Sequence, residues 1–120
     1  MSTRFYMTRD VNGYNGFGIP WSLNGYSMVL ATGAEQHVTV PSTFQNWIAL
    51  FSYTPSANVW VDGITTAVAP TGAAAATTAR LNPSARQVKA GDTISFISSD
   101  TTSPMVQVEF LGIEPFGGLV

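Results

Sequence analysis

Histidine is the side chain best suited to moving protons near neutral pH, and this chain has one, His37. Acid–base work by it needs a second tuned group close by. The seven carboxylates, Asp10, Glu35, Asp62, Asp92, Asp100, Glu109 and Glu114, are spread along 120 residues. None is spaced with another as a loop ligand set, and there is no EF-hand pattern. Asp62, Asp92 and Asp100 fall at expected strand ends or turns, where Asp serves to cap backbone N–H groups. A calcium site shared by these three is the alternative use of them. A Ser-His-Asp triad is compositionally available, yet no Gly-x-Ser-x-Gly elbow accompanies it, and no glycine-rich phosphate loop occurs. With no cysteine in the sequence, thiol nucleophiles, thiolate metal sites and disulfides are excluded. His37 lies opposite in parity to Val38 and Val40, so it is expected to be an exposed strand histidine. The expectation is a protein without catalytic residues, cofactor or metal.

The richer chemistry is that of contact. Residues 10–26 alternate Asn and Gly with Tyr14, Phe17, Trp21 and Tyr26. Glycine and asparagine permit turns and positive φ, while the aromatics supply amphipathic contact area. Such a stretch is either a loop packed on its own domain or an arm laid on a neighbour, and a structureless loop of this length inside a domain is uncommon. Trp60 and the arm aromatics could instead form a platform that stacks on sugars. Trp47 and Phe51 are expected in the core.

Charge is the other unusual property. Charged residues make up 10% of the chain and hydrophobic ones 45%, whereas ordinary soluble domains are about one-quarter charged. There is no charge between Asp10 and Glu35 or between Asp62 and Arg80. A surface so poor in charge suits a protein that packs permanently against neighbours. The bases Arg4, Arg9, Arg80, Arg86 and Lys89 form no stripe, which argues against nucleic acid as a partner. No apolar run approaches the roughly 18–20 residues that span a bilayer, so no membrane partner is expected. The start lacks an apolar signal-peptide core, which leads to an expectation of synthesis in a cytoplasm without a cleaved signal.

The elements that must position these residues read as strands. β-branched and aromatic segments are punctuated by Gly, Pro, Asn, Asp and Ser at short intervals. Expected strands cover residues 3–9, 27–31, 36–40, 46–53, 58–62, 87–89, 93–98 and 105–113. Residues 46–53 form the strongest, with Trp47, Ala49, Phe51 and Tyr53 on one face and Ile48 and Leu50 on the other. With both faces apolar, this strand is either covered on both sides or meets a partner. Residues 63–79 read as a surface loop. Ala90-Gly91-Asp92 reads as a hairpin connection between residues 87–89 and 93–98. About seven or eight short strands suit a single antiparallel β-sandwich, jelly-roll-like in architecture. The expected organisation is an N-terminal strand and arm over residues 1–26, a sandwich body over 27–113 and an apolar tail over 114–120.

Three stretches carry a family resemblance: residues 2–15, which begin Ser-Thr-Arg-Phe-Tyr-Met-Thr-Arg-Asp; residues 49–61, from Ala49 to Trp60 and Val61; and residues 81–98, which begin Leu-Asn-Pro-Ser-Ala-Arg. They cover under half of the chain, and it resembles small virion structural proteins of tailed bacteriophages. The resemblance implies a capsid decoration (cement) protein on the virion surface, with a tail, neck or fibre-associated glycan-binding module as the alternative. It further implies homotrimers and the major capsid protein as partner. Interface roles are expected for Arg4, Arg9, Asp10, Tyr14, Phe17, Trp21, Tyr26 and Trp60, and for Phe116, Leu119 and Val120 in the tail.

Overall fold

Alternating apolar and polar residues give ten strands in the computed structural model, which describes residues 8–9, 12, 15–16, 21–71 and 78–113. They are β1 (Thr8–Arg9), β2 (Asn15–Gly16), β3 (Asn24–Val29), β4 (Gln36–Thr39), β5 (Asn46–Tyr53), β6 (Trp60–Asp62), β7 (Arg80–Leu81), β8 (Ala85–Lys89), β9 (Thr93–Ile97) and β10 (Met105–Gly112). β1 and β2 pair with each other, and the other eight make two antiparallel four-stranded sheets, ordered β3-β10-β5-β8 and β4-β9-β6-β7. The protein is all-β, a sandwich of two packed sheets.

The period of two decides which side chains are inside. Trp47, Ala49 and Phe51 of β5 stand opposite Gly112, Phe110 and Val108 of β10, and all six are buried. In the second sheet Val61 pairs with Phe96 and Val38 with Ile94, again on the inner face. Phe51 of the first sheet meets Phe96 of the second edge-on, with ring centroids 6.0 Å apart, and this contact pins the two layers together. Trp47 meets Phe110 at 6.4 Å and donates its indole N–H to the carbonyl of Phe44 at 2.9 Å, so no polar atom of this core tryptophan is left unmatched. Burial pushes the Tyr53 phenol above the usual tyrosine range, against the weaker pull of Arg86. The group therefore remains a donor, to the Pro83 carbonyl at 2.6 Å.

Three expectations need correction, and a fourth is borne out as far as the described residues reach. The first body strand starts at Asn24, not residue 27, so Tyr26 belongs to the sandwich and the boundary drawn after residue 26 cuts β3. Of the expected strand over residues 3–9, the described part is Thr8–Arg9; residues 3–7 lie outside the described residues. Ala90-Gly91-Asp92 is no hairpin: β8 pairs with β5 and β9 with β4 and β6, so the turn carries the chain from one sheet to the other. Its geometry is still that of a tight reversal, with Gly91 at φ 85° and the Asp92 N–H on the Lys89 carbonyl. Finally, the stretch after Asp62 is partly interior, because Ala67 is buried and its N–H donates to Ser95 Oγ at 2.9 Å. The Ala73–Ala76 run lies outside the described residues.

Candidate interaction surface

The polar groups with catalytic potential gather on the outer face of the second sheet. Ser95 of β9 donates to Glu35 at 2.5 Å, and His37 Nδ1 lies 3.4 Å from the same carboxylate. The carboxylate therefore sits between hydroxyl and imidazole, whereas a nucleophilic triad needs the imidazole in the middle to take the hydroxyl proton. His37 is exposed, as its parity on β4 required. One strand over, Asp62 is buried and accepts from the N–H groups of Ile64 and Thr65 and from the hydroxyls of Thr65 and Thr78. Burial opposes its ionisation, but these hydrogen bonds outweigh it and hold the carboxyl below the usual carboxylate range. Asp62 is thus a fastener for the segment that follows it.

The shared calcium site is not assembled. Asp92 accepts from the Lys89 N–H at 3.0 Å and so caps its own turn, while Asp100 accepts from the Asn58 N–H at 2.8 Å and ties its loop to the one before β6. Among the described residues no three His, Asp or Glu side chains converge as metal ligands.

The expected interface residues have different fates. Trp21 is 90% exposed, immediately before β3. Tyr26 is 42% exposed, yet its register opposite Val108 turns it to the inner side of the first sheet, where it meets Phe110 edge-on at 5.9 Å. Trp60 is half-buried on the outer face of the second sheet, between its cross-strand partners Ile97 and Leu81. Tyr26 and Trp60 therefore stand on different sheets, one on an inner face and the other on an outer face. Arg9 is described in its backbone alone, as part of β1, while Arg4, Asp10, Tyr14, Phe17, Phe116, Leu119 and Val120 lie outside the described residues.

Sequence reasoning missed the apolar residues that do stand outward. Val29 and Met105 are cross-strand partners on the outer face of the first sheet, 53% and 51% exposed, and Leu23 is exposed just before β3. Ile64 and Val68 are exposed on the segment after β6. Parity was the available signal for the pair: Met105 opposes Val106 and Val108 in phase, so it must point away from the core. Comparison with known families, with curated proteins and with solved structures finds no match. Among the described residues no helix is long and apolar enough to cross a membrane.

Proposed function

We propose that this chain is a non-enzymatic structural protein of a tailed-phage virion, a decoration protein that binds the outside of the head across capsomers. The observation that carries the reading is the exposure of Trp21, Leu23, Val29 and Met105 in a chain whose residues 11–34 hold no charge. Apolar surface of this kind is stabilised by being covered, at roughly 25 cal/mol per Å² before the costs of association are subtracted. Many equivalent copies on a particle then add avidity.

Strand order supports the same reading. With the eight body strands numbered in chain order, first lies beside eighth, second beside seventh, third beside sixth and fourth beside fifth. That is the pattern of one long antiparallel ribbon wrapped around a core, and we read the sandwich as a jelly roll, an architecture used by viral capsid and lectin domains. The major capsid protein is the proposed partner. Three-fold self-assembly rests on the resemblance of residues 2–15, 49–61 and 81–98 to phage virion proteins.

The segment before β3 is proposed to supply the capsid-binding arm. A variant lacking residues 1–20 keeps every strand of the two sheets, so it is expected to fold, with unchanged far-ultraviolet circular dichroism, and to lose binding to heads. Full occupancy by that variant would remove the arm from the account.

A further inference from the structure

A sandwich of two open sheets has four edge strands, and an edge strand offers unpaired N–H and C=O groups to any extended chain. Among the described residues, three of these four edges are blunted. β7 is two residues long, and β8 carries Arg86 and Lys89. Arg80 and Arg86 moreover pair with Val61 and Ala49 on the inner sides of their sheets, the inward-pointing charges that disfavour edge pairing. β4 is four residues long and carries His37, beside Glu35. β3 differs on every count: Asn24–Val29 is six residues long and contains no charge and no proline.

The backbone orientation of β3 follows from its register. Leu30 donates to the Pro104 carbonyl at 2.9 Å, so the alternate residues Met28, Tyr26 and Asn24 direct their backbone groups toward β10. Gly25, Ser27 and Val29 direct theirs outward. The Gln36 side chain confirms this by donating to the Val29 carbonyl at 2.7 Å, at the far end of the edge.

We propose that the β3 edge pairs with the β3 edge of a second copy of this chain, antiparallel and two-fold about Ser27, which joins the two first sheets into one of eight strands. The sequence is complementary to itself in that register. Ser27 opposes Ser27 of the partner subunit, Gly25 opposes Val29 of the partner subunit, and on the inner side Tyr26 opposes Met28 of the partner subunit. A residue without a side chain meets a β-branched one, a half-exposed ring meets a thioether, and no like charges face each other. The Val29 carbonyl has a second lone pair for the Gly25 N–H of the partner subunit while it keeps Gln36. A two-fold contact departs from the trimer that the phage resemblance implies. The pairing rests on β3 alone, so loss of head binding with the dimer intact would count against the decoration reading and not against this one.

Ser27 is exposed, its N–H is not used by β10, and its hydroxyl accepts from the exposed Gln107 side chain at 3.0 Å, a surface hydrogen bond whose loss spares the fold. Sedimentation velocity of the full chain is expected to show a concentration-dependent dimer. Ser27→Lys sets two ammonium groups face to face and should weaken it by roughly a hundredfold. Gln87→Lys, exposed on the same outer face but at the opposite edge of the sheet, should leave it unchanged. Because the chain has no cysteine, Ser27→Cys carries a single thiol. The two-fold register brings the Cα atoms at that position to about 5.5 Å, so a short thiol–thiol linker should trap a covalent dimer. A wild-type monomer at all concentrations would overturn the proposal. So would an oligomer, trimeric or otherwise, that withstands Ser27→Lys and yields no linked dimer.

Discussion

At the scale of residues, the polar groups hold turns and cover in place. Asp62 is the clearest case. Its carboxylate is satisfied by two backbone N–H groups and two threonine hydroxyls, and it anchors the stretch that buries Ala67 over Ser95. Since its folded pKa is depressed, the stabilisation is fully present above the unfolded carboxylate value, roughly 3.9, and is lost as pH falls through the lower folded value. Asp62→Asn keeps one acceptor but loses the charge and the second acceptor oxygen. It is expected to lower stability by about 1–3 kcal/mol at pH 7. The deficit should begin to shrink below about pH 4, where the carboxyl of the unfolded chain takes up a proton before the folded one does. Chemical denaturation at pH 7 and pH 3 measures both values, and an equal deficit at the two would contradict the assignment.

At the scale of elements, periodicity made most of the fold legible. The bounds of β5 and the inward set Trp47, Ala49 and Phe51 follow from alternation, as do Val106, Val108 and Phe110 in β10. Sheet membership did not follow. Gly91 announces a reversal, but whether the strand after it rejoins β8 or crosses to β4 and β6 depends on contacts far away in sequence. The same limit hid the cover over Ser95: the polar residues Asp62 and Ser95 face outward by parity, and only the returning chain buries them. The site was less legible than the fold. Trp21 stood out by composition, whereas Val29 and Met105 become a pair only through register. At the crossover, Gly91 has φ 85° and open space where a Cβ would stand, so Gly91→Ala meets backbone strain and no clash. It should cost about 1–2 kcal/mol by equilibrium unfolding. A neutral result would show that the turn relaxes.

At the scale of the whole molecule, the scarcity of charge has a structural counterpart. The described stretch from Trp21 to Ala34 contributes an uncharged edge strand and exposed apolar side chains, where an independently diffusing domain would place lysines and glutamates. On the proposed reading, neighbours cover this uncharged, apolar stretch. The direct measurement is occupancy on phage heads. Purified protein should be titrated onto heads that lack it, and the particles imaged for density at symmetry-related positions on the outer surface. The account predicts saturable binding with a fixed number of copies per head, reduced by Trp21→Ala. Heads left bare by an excess of folded protein would contradict it.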